Sequence, residues 1–194
     1  FAATEEAAAL TGTKRRLLDE WLRDFRRTGH ELAAADRDRL QELKQRLVEL
    51  QVQFSKTLDE WDDYIEVTAD DLDGLPEGYV AGLRPGSGEG TYRVSMEYPD
   101  YMPFMQQARR RDLRAALQFK FWNRAAAENR PLLEEAIAIR EQIAAALGYP
   151  TWADYAMEVK MAKTPAAVAA FYEGIVPGLT AKAQAELKVM TALF

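Results

Sequence analysis

Leu40, Leu43, Leu47, Leu50, Phe54, Leu58 and Trp61 step along the chain by threes and fours. Only a helix puts such a series on one stripe, because in a strand neighbouring side chains alternate between opposite faces. Lys44, Arg46, Glu49 and Lys56 fall between them and make the other faces polar. The spacing therefore predicts a long amphipathic helix that must bury one side, with Asp36 as its cap. The stripe is short for a coiled coil, and Phe54 and Trp61 suit a globular core better. A shorter helix precedes it, carrying Leu17, Leu18, Trp21, Leu22 and Phe25, with Gly29 as the stop. The two read as an antiparallel hairpin joined by Gly29 to Ala35.

The period changes after Asp63. Tyr64-Ile65-Glu66-Val67 and Thr91-Tyr92-Arg93-Val94-Ser95-Met96 alternate as strands do. Between them a short turn or helix spans Ala69 to Gly82, followed by the loop Pro85 to Gly90. This predicts a small two-stranded β element. Helices then return. One starts in the Tyr98-to-Pro103 stretch, and one runs from Asp112 to about Asn123. Asn129 is expected to cap the next, with Pro131 in its first turn and Gly148 past its end. Thr151 caps a short helix carrying Trp152, Tyr155 and Met157. Thr164 caps the last, with Pro165 at its first position, and Pro177-Gly178 should kink or break it before Leu187 and Met190. The fold class is mainly all-α: an antiparallel, bundle-like helical lobe with a small β element, residues 1–194 forming one lobe.

With 48% hydrophobic and 29% charged residues, the chain can build a sizeable core. Its net charge is −6, which argues against a nucleic-acid or anionic-membrane surface and leaves basic peptides open. The absence of cysteine rules out disulfides and thiolate metal sites. A cytoplasmic location fits this. No apolar run approaches the roughly 20 residues of a membrane span. The first residues lack the basic and apolar regions of a signal peptide, and both ends read as cut from something longer.

The chemistry-bearing residues favour plain readings. His-Glu-x-x-His zinc sites need two histidines one turn apart, and this chain has only His30, expected in a solvent-facing loop. Glu60, Asp62 and Asp63 oppose the dipole at a helix C-terminus, so a basic neighbour is expected. Asp70, Asp71 and Asp73 read as capping and turn residues. Gly86-Ser87-Gly88-Glu89-Gly90 lacks the lysine of a phosphate loop and leads into a strand, so it reads as a hairpin turn. Arg109, Arg110, Arg111 and Arg114 read as a solvated face paired with nearby acids. Phe119, Phe121 and Trp122, at helical spacing, read as core. No catalytic or metal-ligating residue is identified, and no cofactor is expected in this chain.

Whole segments carry a resemblance. Tyr98-Pro-Asp-Tyr-Met-Pro-Phe-Met105, Asn123-Arg124, Leu147-Gly-Tyr-Pro-Thr-Trp-Ala-Asp-Tyr155 and Met161-Ala-Lys-Thr-Pro165 occur in that order, with Asp73-Gly-Leu-Pro-Glu-Gly78 and the Leu40-to-Phe54 helix upstream. In wording and order the chain resembles the zinc metallopeptidases that include thimet oligopeptidase, neurolysin and oligopeptidase A. The resemblance covers nearly all of Leu17 to Leu193, in the N-terminal non-catalytic part of those enzymes. It implies a large two-lobed helical enzyme whose deep channel admits only short peptides, with zinc held in the other lobe. The metal would then belong to the longer parent protein, and the partners of this chain would be the catalytic lobe of the same polypeptide and short peptides. Left alone, the chain is expected to expose apolar surface and self-associate. The alternative is a stand-alone helical module that binds peptides or a protein partner without catalysis.

Overall fold

The computed structural model describes residues 2–193. The chain divides into two compact units, residues 1–48 with 136–194, and residues 49–135. Two long helices, α3 (Ala34–Asp59) and α7 (Ala126–Ala146), each begin in one unit and end in the other.

The first unit contains α1 (Glu5–Ala8), α2 (Gly12–Thr28), the first part of α3, the last part of α7, α8 (Trp152–Met157) and α9 (Pro165–Thr191). Leu40, Leu43 and Leu47 of the stripe are buried in it, as are Ile139 and Ile143 of α7. Gly29 ends α2 in a left-handed conformation with φ of 92°. Its N–H bonds to the Arg26 carbonyl and that of His30 to the Phe25 carbonyl, the paired pattern that satisfies a helix's last acceptors. Gly148 ends α7 the same way, bonding to Ala145, while Tyr149 bonds to Ala144. Thr151 and Thr164 each accept a hydrogen bond from the backbone N–H three residues on, at 3.2 Å, and so cap α8 and α9 as the sequence predicts.

The second unit is built on a three-stranded antiparallel sheet of β1 (Tyr64–Thr68), β2 (Arg84–Pro85) and β3 (Thr91–Ser95), in the order β1-β3-β2. Ile65, Val67 and Val94 point from one face into a core shared with Tyr101 and Phe104 of α5 (Tyr98–Gln107) and Leu117 and Phe121 of α6 (Arg111–Asn123). A 3-10 turn (Asp70–Leu72) and α4 (Glu77–Gly82) close the crossover, with Leu72 and Leu83 in the same core.

Five expectations need correction. The β element has three strands, because Arg84–Pro85 pairs with Arg93 and Tyr92. Asp36 lies inside the first turn of α3, where its charge favours the helix dipole. Asn129 is no cap. Helix α7 starts at Ala126, after the buried Ala125 turns the chain at φ of 52°. Asn129 is itself buried and donates to the Phe54 carbonyl at 3.1 Å. Helix α9 runs through Pro177 without interruption. Pro177 and Glu173, whose carbonyl loses its donor, are both exposed, so water satisfies that group. Finally, Phe119 and Trp122 are about 70% exposed (69% and 73%), and only Phe121 enters the core.

The two helix-ending glycines give a controlled test. A Cβ on Gly29 would lie 2.7 Å from Cδ2 of the fully buried Leu40, whereas one on Gly148 would meet nothing within 4 Å. Both substitutions force alanine into a left-handed conformation, which costs upward of about 1 kcal/mol. Gly29→Ala should therefore lower the urea midpoint more than Gly148→Ala. Equal losses would contradict this packing. Thr164→Ala should cost about 1 kcal/mol.

Candidate functional site

The most connected polar cluster of the first unit gathers the end of α2, the α7–α8 turn and the end of α8. Glu158 accepts from Arg26 at 2.5 Å, from Arg27 at 2.8 Å and from the Tyr149 hydroxyl at 2.5 Å. Arg27 also donates to the Tyr155 carbonyl at 2.7 Å and lies 3.8 Å over the Tyr155 ring. The Lys44 ammonium donates to the Arg27 carbonyl at 3.0 Å. Burial opposes ionisation of Glu158, but the hydrogen bonds from Tyr149 and Arg27 and the charge of Arg26 outweigh it, leaving the carboxyl below its usual range. Burial and the bond to Glu158 raise the Tyr149 phenol. Burial, helped by Arg27, lowers Lys44. A cleft of about 620 Å³ beside this cluster is lined by Arg15, Asp19, Arg23, Arg26, Glu31 and Glu158 among others. Its charges pair with one another, Arg15 with Asp19 at 2.8 Å and Arg16 with Glu20 at 2.8 Å, so it presents no excess of either sign. The cluster is an internal brace and offers no free acid or base.

In the second unit the acidic and basic runs find each other. Asp63 pairs with Lys120 at 2.6 Å, Asp73 with Arg109 at 2.7 Å and Asp71 with Arg110 at 2.8 Å. Arg110 also grips Asp112 at 2.6 Å. Glu60 lies 3.7 Å from Lys56. Asp71 accepts from both the backbone and the hydroxyl of Thr68 and so fastens the end of β1. Arg114 donates to the Ala108 and Arg109 carbonyls. Arg109 and Arg110 of the basic run are thus paired with acids, as expected, whereas Arg114 bonds backbone carbonyls instead.

The glycine-rich loop is a hairpin turn between β2 and β3, and it is a cradle for an anion supplied by the chain itself. The Glu66 carboxylate accepts from the Ser87 N–H at 3.0 Å, the Gly88 N–H at 3.2 Å, the Ser87 hydroxyl at 2.8 Å and the Thr91 hydroxyl at 2.6 Å. Those donors, the Thr91 and Ser87 hydroxyls foremost, draw its pKa down to about 2. A Cβ on Gly86 would strike the Thr91 hydroxyl at 2.1 Å, so glycine is needed there. Nothing in the spacing of Glu66 and the loop marks this contact, because 21 residues separate Glu66 from Ser87.

The described residues do not assemble a zinc site. His30 is exposed, its Nδ1 lies 2.8 Å from the Thr28 hydroxyl, and its ring rests on Phe25. Among the described residues no group of three His, Cys, Asp or Glu is placed to hold a metal ion. Among the same residues no helix is long and apolar enough to cross a membrane.

The pH dependence of Glu66 has a definite sign. A carboxyl at about 2 in the fold and near 4.5 when unfolded stabilises the fold above pH 4.5, and that contribution is lost as pH falls toward 2. The stability difference between wild type and Glu66→Gln should be constant near neutrality and shrink steadily from pH 4.5 to 2. A pH-independent difference would show that the turn does not hold the ionised form.

Residues 104–194 match the sequence profile of peptidase family M3. The chain is 29% identical to saccharolysin of Saccharomyces cerevisiae over 173 residues, 87% of this chain and 24% of that protein. It is 27% identical to a thimet-like oligopeptidase of Dictyostelium discoideum over 88% of this chain and 26% of the relative. With oligopeptidase A of Haemophilus influenzae it shares 28% identity over 94% of this chain and 29% of the relative. The chain thus spans about a quarter of the length of the curated relatives it matches. Residues 104–194 thus resemble peptidase family M3, and the chain as a whole is similar to a part of the oligopeptidases named above.

Proposed function

We propose that this chain is a scaffold segment of a zinc-dependent oligopeptidase, helping to wall a channel that admits short peptides and excludes folded proteins. The observation that carries this reading is the similarity to named oligopeptidases along 87–94% of the chain. The chemistry of the described residues agrees with it. The two most connected carboxylates, Glu158 and Glu66, are tied up in a brace and a turn, which fits a part in the reaction that shapes, orients and excludes. Zinc, held by residues elsewhere in the longer protein, would activate water and polarise the scissile carbonyl.

The partner that completes such a wall is the catalytic lobe of the same polypeptide. Helix α9 suits burial of that kind, since Phe171, Leu179, Leu187 and Met190 are each more than half exposed; a single domain seldom leaves so much apolar side chain in water. The same face would serve the alternative, a stand-alone interaction module, and would let the isolated chain self-associate. A cytoplasmic protein acting on short peptides is the setting that fits.

A quenched fluorescent peptide with added zinc separates these readings. The longer protein should cleave it in a chelator-sensitive manner, and this chain should not. Cleavage by this chain that survives repurification would overturn the scaffold reading, and an inactive longer protein would favour the interaction module.

A further inference from the structure

The face of the sheet turned away from the core carries two arginines side by side. In the antiparallel register Arg93 of β3 lies opposite Arg84 of β2 on one side and Glu66 of β1 on the other. Directly opposed residues share a face of the sheet, and like charges in that relation repel. Glu66 is the obvious counter-ion for Arg93, but both its oxygens are taken up by Ser87, Gly88 and Thr91. Among the described residues neither Arg84 nor Arg93 makes an ion pair. By contrast, Arg15, Arg16, Arg23, Arg26 and Arg27 of α2 and Arg109 and Arg110 before α6 each pair with an acid. Arg93 is nonetheless held in place. Its guanidinium carbon lies 4.4 Å from the Tyr64 ring centroid, and its Nε–H is closed to solvent and has no acceptor. A guanidinium fixed on an aromatic ring, with an exposed arginine at the facing position of the next strand, offers forked donors that no acid among the described residues pairs with.

We propose that Arg84 and Arg93 form a clamp for a carboxylate carried by a short peptide, the C-terminal carboxylate being the fitting group. A planar carboxylate can span two guanidinium forks, and Tyr64 supplies the floor that keeps one fork from swinging into water. The Glu66 turn has a second role in this arrangement, holding away the internal carboxylate that would otherwise neutralise Arg93. The clamp rests on the oligopeptidase reading only for what bears the carboxylate; its anion chemistry stands on the sheet alone.

The test is an NMR titration of this chain with an N-acetylated pentapeptide acid, the same peptide as its C-terminal amide, and inorganic phosphate. The acid should shift the Arg84 and Arg93 backbone amides and the Arg93 Nε–H saturably, with the amide form binding at least tenfold more weakly. Arg84→Gln and Arg93→Gln should each weaken binding of the acid at least fivefold. Because Arg93 stacks on Tyr64, the Arg84 variant carries the decision, with unchanged Val94 and Phe104 amides certifying the fold. Equal binding of acid and amide overturns the proposal. So does an acid that binds Arg84→Gln as well as wild type, or phosphate binding without any preference for the peptide acid. This readout does not depend on hydrolysis. An inactive longer protein would remove the oligopeptidase reading and leave the clamp, and a silent titration would do the reverse.

Discussion

The alternation of side chains along β1 and β3 is the constraint on which the second unit depends. Val94, Phe104 and Leu117 are wholly buried, and burying large side chains of this kind contributes roughly 1.5–3 kcal/mol each. That burial fixes the register of the sheet, since a slip of one residue would turn Val94 to water and Arg93 into the core. Everything on the open face follows from it: Glu66 reaches the glycine turn, Arg93 lies over Tyr64, and Arg84 comes to stand beside Arg93. In the first unit, burial of Leu40, Leu43 and Leu47 orients α3, and Leu40 packs closely against Gly29.

Several charges in this chain connect segments distant in sequence. Glu158 joins α8 to α2, Asp63 joins the start of β1 to α6, and Asp71 with Asp73 anchors the run at Arg109–Arg110. The exposed pairs among them are each worth about 1 kcal/mol or less, so their value lies in positioning. Such an arrangement suits a wall better than a reaction centre. A catalytic acid or base needs a proton it can release or accept, and the strongly perturbed Glu66 is instead locked in its ionised form by four donors.

Local signals were legible in the sequence. The stripe from Leu40 to Leu50, the Gly29 and Gly148 stops, the Thr151 and Thr164 caps and the two longer strands all depend on neighbours within a few residues, and all appear in the structure. The misses have tertiary causes. Asn129 has the chemistry of a cap, yet its amide is spent on the Phe54 carbonyl 75 residues away. Pro177 has the chemistry of a helix breaker, yet on an exposed helix water repairs the lost bond. Strand β2 is only Arg84–Pro85, too short to show a period. The brace around Glu158 and the cradle around Glu66 join residues 131 and 21 positions apart, and neither leaves a spacing to read.

The central proposal is that this chain supplies form, and that any metal chemistry belongs elsewhere in a longer protein. Thermal unfolding with chelator and with one equivalent of zinc, paired with elemental analysis of tag-free protein, tests this most directly. The expected result is one unchanged midpoint in both conditions and no stoichiometric metal. Zinc bound one to one with a raised midpoint would contradict the account, because a site built by the fold must stabilise it.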